Sequence, residues 1–203
     1  MTAKEQHPNT AWQRRPWWRR LRLGDRDRAA RREVARRLYV ALVNQARTPA
    51  LFAGLGVPDT PEGRFEVIGL HAALVLRRLK AEGTAGQALG QELFDLMFAD
   101  MDMNLRELGV GDLSVGKYVK RLARNLYARI AVLEQALDQG SPTVLGPMLK
   151  GNVYRGGAAP EAAQVTALEG YLVAAAAALA AQPGDALLRG EIAFPDPVVP
   201  PTS

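Results

Sequence analysis

Two apolar stripes that converge on a glycine-rich corner constrain this chain more than any other feature. In MFADMDMNLRELGVGDLSVGKYVKRLA (Met97–Ala123), Phe98, Met101, Leu105 and Leu108 recur at i, i+3, i+7 and i+10, the spacing of one helix face. Val119, Leu122, Leu126, Ile130, Leu133 and Leu137 carry a matching stripe away from the corner. Helices joined by so short a loop pack as an antiparallel hairpin. Polar groups crowd the same place. Asp100, Asp102, Asn104 and Glu107 arrive on the first helix, and Lys117, Lys120, Arg121 and Arg124 leave on the second.

The rest of the chain has the same periodicity. A helix is expected over about Arg28–Arg47, with Val34, Leu38, Ala41, Leu42 and Gln45 facing inward, and Thr48-Pro49 ending it. Ala50–Thr60 reads as a loop. Thr60-Pro61 starts a second helix, with proline in its first position, and Phe65, Ile68, Ala72, Val75 and Leu79 form its stripe up to a stop at Gly83. Thr84 with Gln87 reads as a capping box for the helix that reaches the corner. Gly86 and Gly90 follow, where a neighbouring backbone can approach closely. Beyond the hairpin, Gly140-Ser141-Pro142 marks a turn. A short helix to about Tyr154 should break or kink near Gly146-Pro147, and Gly156–Pro160 is a loop. Ala162–Ala181 is alanine-rich and helical by propensity, with Val165, Leu168, Leu172 and Leu179 as its apolar edge. The tail from Phe194 holds four prolines and reads as extended. No strand pattern and no internal repeat stand out. The expected class is all-α, a single helical domain over 28–190 built around the central hairpin. A disordered basic arm over 1–27 precedes it, and a proline-rich extended tail over 191–203 follows.

Composition excludes several chemistries. With no cysteine, disulfides, thiolate zinc sites and cysteine nucleophiles are ruled out, and His7 and His71 alone cannot build a histidine-rich metal site. His71 lies near Ile68 and Val75 on the buried side and reads as a hydrogen-bonded core residue. The longest apolar run, Tyr171–Ala181, reads as too short and too alanine-rich to span a bilayer, and the N-terminus lacks a signal-peptide core. The expected location is the cytoplasm, with peripheral attachment at the inner membrane as the alternative. At 203 residues the chain is about one domain, able to bury roughly 70% of its unfolded surface.

The net charge of +5 is unevenly placed. Residues 1–37 carry 12 of the 26 basic and 4 of the 21 acidic side chains, a net of +8, so the remainder is −3. Within the arm, Trp12, Trp17 and Trp18 sit among Arg14, Arg15, Arg19 and Arg20. Such a segment suits an anionic membrane interface, or RNA or the ribosome, or a solvated tail whose tryptophans dock on their own domain.

The corner offers no catalytic set. Gly111–Lys117 has P-loop spacing, but Tyr118 stands where magnesium would need Ser or Thr, and no strand precedes it. Gly109 falls where a helix C-cap needs positive φ, and Ser114 is placed to cap the next helix, with Gly116 and Lys117 in its first turn. Asp100 and Asp102, two residues apart, point to different faces and cannot chelate one ion. Asp100 lies beside the apolar stripe and needs a partner. Lys117 or Lys120 across the hairpin is the expected one, in an ion-pair network bracing the corner.

The same run resembles the signature of the ubiquinol–cytochrome c chaperone family, the cytochrome b assembly factors of mitochondria and their alphaproteobacterial relatives. LYVALVNQAR (Leu38–Arg47) and RFEVIGLHAALVLRRLK (Arg64–Lys80) resemble the segments before that signature. NVYRG (Asn152–Gly156) and LLRGEIAFPDP (Leu187–Pro197) are similar to the ends of bacterial members. The resemblance implies a non-enzymatic helical chaperone, without a cofactor, that engages cytochrome b during insertion and haem acquisition. In the mitochondrial relatives it implies a second assembly factor and proximity to the ribosome. By position, the client surface would comprise Asp100, Asp102, Asn104, Arg106, Glu107, Asp112, Lys117 and Lys120. Gly109, Gly111 and Gly116 would shape the corner.

Overall fold

A computed structural model describes residues 25–107, 109, 111–138 and 144–201. Within them the chain forms α1 (Asp25–Ala46), a π-helical turn (Ala50–Gly54), α2 (Pro61–Lys80), α3 (Gly83–Glu107), α4 (Asp112–Asp138), α5 (Leu145–Asn152), α6 (Ala162–Ala181) and α7 (Gly184–Leu188). No strand occurs among the described residues, so the class is all-α as expected.

Pairs between helices set their directions. Arg28 meets Glu92 at 3.2 Å and Tyr39 meets Asp100 at 2.7 Å, so α1 and α3 advance together. Glu66 with Arg129, and Arg77 with Asp138, do the same for α2 and α4. Phe94 stacks on Tyr127 at 5.6 Å, with the corner midway between them in sequence, so α3 and α4 run in opposite senses. The hairpin therefore forms.

Helix α2 lies deepest. Every residue from Gly69 to Val75 is buried, beyond the single stripe its periodicity suggested, whereas Phe65 and Ile68 are only partly covered. A helix buried all round must be enclosed by others, and α1, α3, α4 and α6 enclose it. Helix α3 applies Gly86, Gly90, Leu93, Met97 and Met101 to this core. A Cβ at Gly86 would stand 2.0 Å from the Leu79 carbonyl oxygen, so that glycine admits the close approach anticipated there.

Several local expectations are revised. Ala50–Gly54 is a π turn rather than a loop, burying Leu51. Helix α3 begins at Gly83 (φ +62°), which places Thr84 inside the first turn instead of ahead of it as a cap. Pro147 sits in the first turn of α5, where its missing N–H has no intrahelical partner to lose, and the helix starts there instead of kinking. Helix α7 follows Pro183 and was not anticipated. Thr60 caps α2 as expected, its hydroxyl accepting from the Gly63 N–H at 3.1 Å. Helix α6 spans 20 residues and is long and apolar enough to cross a membrane, contrary to the reading of its shorter apolar run. Its Val165, Leu168, Tyr171, Leu172, Ala175 and Leu179 are buried in the core, which accounts for that composition.

Candidate functional site

The corner is built from the last turns of α3 and the first of α4. Gly109 takes φ +80°, and its N–H donates to the Arg106 carbonyl at 3.0 Å, closing α3 with the left-handed residue a C-cap needs. The backbone N–H groups of Ser114 and Val115 donate to the Gly111 carbonyl at 2.8 and 3.2 Å. Because α4 already starts at Asp112, Ser114 lies within its first turn and does not cap it, and Lys117 falls in the second turn. Gly116 and Lys117 are helical, which removes the phosphate loop their spacing suggested. Nothing lies within 4 Å of a Cβ built at Gly109, Gly111 or Gly116, so the corner is sterically open.

The acidic side has its own partners. Asp100, half-buried, accepts a hydrogen bond from the Tyr39 hydroxyl of α1 at 2.7 Å. This corrects the expected pairing with Lys117 or Lys120. A phenol delivered by a helix remote in sequence reaches the carboxylate first, and no bracing ion-pair network is needed. Burial, and then the adjacent Asp100 carboxylate, raises the Tyr39 pKa, because both disfavour a phenolate there. Asp102 accepts from Arg106 Nε at 2.6 Å, an i,i+4 pair open to solvent. Asn104 donates to the Asp100 carbonyl at 2.7 Å. Glu107 is exposed.

Lys117 and Lys120 are exposed, and among the described residues neither is in an ion pair. Asp112 opens α4, and its side chain lies outside the described set. So do Trp12, Arg14, Arg15, Trp17, Trp18, Arg19 and Arg20 of the arm. The structure thus gathers Asp102, Asn104, Arg106, Glu107, Lys117 and Lys120 on exposed turns beside one corner, and turns Asp100 inward.

The family model for ubiquinol–cytochrome c chaperones matches residues 53–194, from the π turn through α7 and across the whole corner. The chain belongs to the ubiquinol–cytochrome c chaperone family. The crystal structure of the Cbp3 homolog from Brucella abortus superposes with a TM-score of 0.75 at 36% identity, covering 84% of this chain and 93% of that one. Ubiquinol–cytochrome c reductase complex assembly factor 1 of Mus musculus is 26% identical over 104 residues, which is 51% of this chain and 35% of the relative. The Xenopus laevis protein of the same name is 26% identical over 97 residues, 48% of each. The chain therefore spans between a third and a half of the length of these curated relatives.

Two polar arrangements hold the helices behind the corner. His71 is buried, its Nδ1 2.8 Å from the Val67 carbonyl and its Nε2 2.6 Å from the Tyr171 hydroxyl. A carbonyl only accepts, so Nδ1 carries the proton and Nε2 accepts from Tyr171. The Tyr171 hydroxyl in turn accepts from Gln45 Nε2 at 3.0 Å, which also donates to the Pro195 carbonyl at 3.0 Å. Burial holds the His71 pKa down at about 4, keeping the ring neutral. The core role expected for this histidine is what the structure shows.

The second arrangement went unrecognised in the sequence. Arg129 of α4 is buried and donates to both Glu66 carboxylate oxygens at 2.6 Å and to the Asn125 carbonyl at 2.9 Å. One signal was available: Arg129 sits between Leu126 and Leu133 on the apolar stripe, where a cation needs a partner.

Proposed function

We propose that this chain is a non-enzymatic assembly chaperone for ubiquinol–cytochrome c reductase, and that its exposed corner holds cytochrome b while that subunit inserts and matures. The observation that carries this reading is the disposition of Lys117 and Lys120. They lie inside the segment that matches the chaperone family, they face solvent, and no internal acid occupies them among the described residues. Side chains that brace a hairpin would be paired, whereas these are available to a partner. Relatives named as assembly factors of the same complex support the choice of client pathway. A second assembly factor could share the surface, and work on a membrane subunit places the chain in the cytoplasm at the inner-membrane surface. His71 is committed to the core through the Val67 carbonyl and the Tyr171 hydroxyl.

The test is capture of cytochrome b from detergent-solubilised membranes by Lys117→Glu, Lys120→Glu and Asp102→Lys, each paired with a thermal melt. Reduced capture at a nearly unchanged melting temperature is expected. Undiminished capture by all three folded variants would move the client surface elsewhere. A deletion strain should show less assembled bc1 complex with cytochrome b mRNA retained, and normal bc1 spectra and activity there would refute the assignment.

A further inference from the structure

Helix α4 carries five basic residues, Lys117, Lys120, Arg121, Arg124 and Arg129, and no acidic residue between Leu113 and Leu133. Arg129 is consumed by Glu66 inside the domain. The other four are exposed, and among the described residues none of them is ion-paired. At 3.6 residues per turn they fall within an arc of about 100° and extend over about 10 Å of helix. Lys117 and Arg121, and Lys120 and Arg124, are like charges at i,i+4, an arrangement that opposes helix formation unless an external anion offsets it. The arc contributes nothing to the core. Val115, Leu126 and Leu133 on the opposite side do that.

We propose that this arc is a docking face for an anionic phospholipid surface. Four cations on one straight, convex strip present their charge to a plane of phosphates rather than to a point ligand. Tyr118 and Tyr127 lie on its two flanks, each 38% exposed, as amphipathic rings do at headgroup level. The Arg121 guanidinium lies over the Tyr118 ring at 4.4 Å, and the Tyr127 ring is stacked on Phe94. With one face of each ring already covered, the strip is poorly equipped to stack unpaired bases, which is how a basic and aromatic surface holds RNA. A membrane-facing α4 also sets the neighbouring corner at the bilayer surface.

The test uses the full chain, so that the basic arm contributes equally to every sample. Arg121→Gln/Arg124→Gln is compared with the unaltered protein by co-sedimentation with phosphatidylglycerol–phosphatidylcholine vesicles. Each basic residue near an anionic surface contributes about fivefold in affinity, so the double variant should bind at least about tenfold more weakly at an unchanged melting temperature. Binding should also fall as salt rises. Equal binding by both proteins, or equal binding to pure phosphatidylcholine, would overturn the proposal. So would a double variant that keeps vesicle binding and loses binding to single-stranded homopolymer RNA. Capture of cytochrome b in detergent should survive in the double variant, which separates the Arg121 and Arg124 part of this face from Lys117 and Lys120, the end it shares with the proposed client surface.

Discussion

Replacing Glu66 with alanine removes the carboxylate that meets the buried Arg129 guanidinium. The Arg129 side chain is 7% exposed and that of Glu66 13%, so water reaches neither group freely. Two of the three hydrogen bonds that Arg129 makes go to Glu66, leaving one to the Asn125 carbonyl. A buried charge stripped of its partner costs about 3–5 kcal/mol, against about 0–1 kcal/mol for an exposed pair. For a domain of this length that corresponds to a fall in melting temperature of roughly 6–20 °C. Urea unfolding followed by circular dichroism measures it, with an unchanged m-value showing that the native state is otherwise intact. The double variant Glu66→Leu/Arg129→Met removes both charges and keeps the volume. It should recover to within about 1 kcal/mol of the parent or exceed it. A single-variant loss below about 1 kcal/mol would mean that the pair is solvated. A double variant as unstable as Glu66→Ala would refute desolvation as the cause.

Four further outcomes follow from other parts of the structure. The folded His71 pKa of about 4 lies below the ordinary value near 6.5, so the unfolded chain binds the proton more readily. The stability this contributes is complete above about pH 6.5 and is lost as pH falls toward 4, by on the order of 3 kcal/mol. Urea titrations at stepped pH should show the slope, and His71→Leu should flatten it. Tyr171→Phe strands His71 Nε2 and should cost about 1–3 kcal/mol at pH 7 by the same unfolding assay. Arg78 donates to the Leu179 and Gln182 carbonyls at 2.9 and 3.0 Å and pairs with Glu82, closing the end of α6. Arg78→Lys, which loses the planar fork, should therefore lower the melting temperature measurably, where an exposed Arg→Lys change would not. Gly109→Ala meets no atom within 4 Å, so its cost should be confined to positive φ, about 1–2 kcal/mol, with the hairpin retained by circular dichroism.

The elements that local periodicity controls were legible. Leu38 and Leu42 on α1, Leu168 and Leu172 on α6, and the Thr60 cap are dictated by residues within a turn or two of each other. What stayed hidden depends on partners far away in sequence. Nothing near Asp100 announces that Tyr39, 61 residues earlier, will satisfy it, and a local reading supplied the nearer lysines instead. Glu66 and Arg129, 63 residues apart, are the same case. The extent of burial on α2 was also illegible, because full enclosure depends on how many helices surround it. At the corner the reverse holds. The positive-φ cap at Gly109 was readable because capping is a local matter.

Gln45 bonds to the Pro195 carbonyl, 150 residues later, and Phe194 packs edge-on to His71 at 5.2 Å. Nearby, Gln182 accepts from the Ala193 N–H at 2.9 Å and donates to its carbonyl at 2.8 Å. At translation rates of about 5–20 residues per second, Gln45 waits roughly 8–30 s for that partner to be made. The polar network through α1, α2 and α6 therefore closes only after Pro195 has been made, and until then the His71–Tyr171 pair lacks its outer anchor. A chain cut between Ala181 and Ala193 would hold α1 to α6 without the completed lock, and proteolysis would act on that species first.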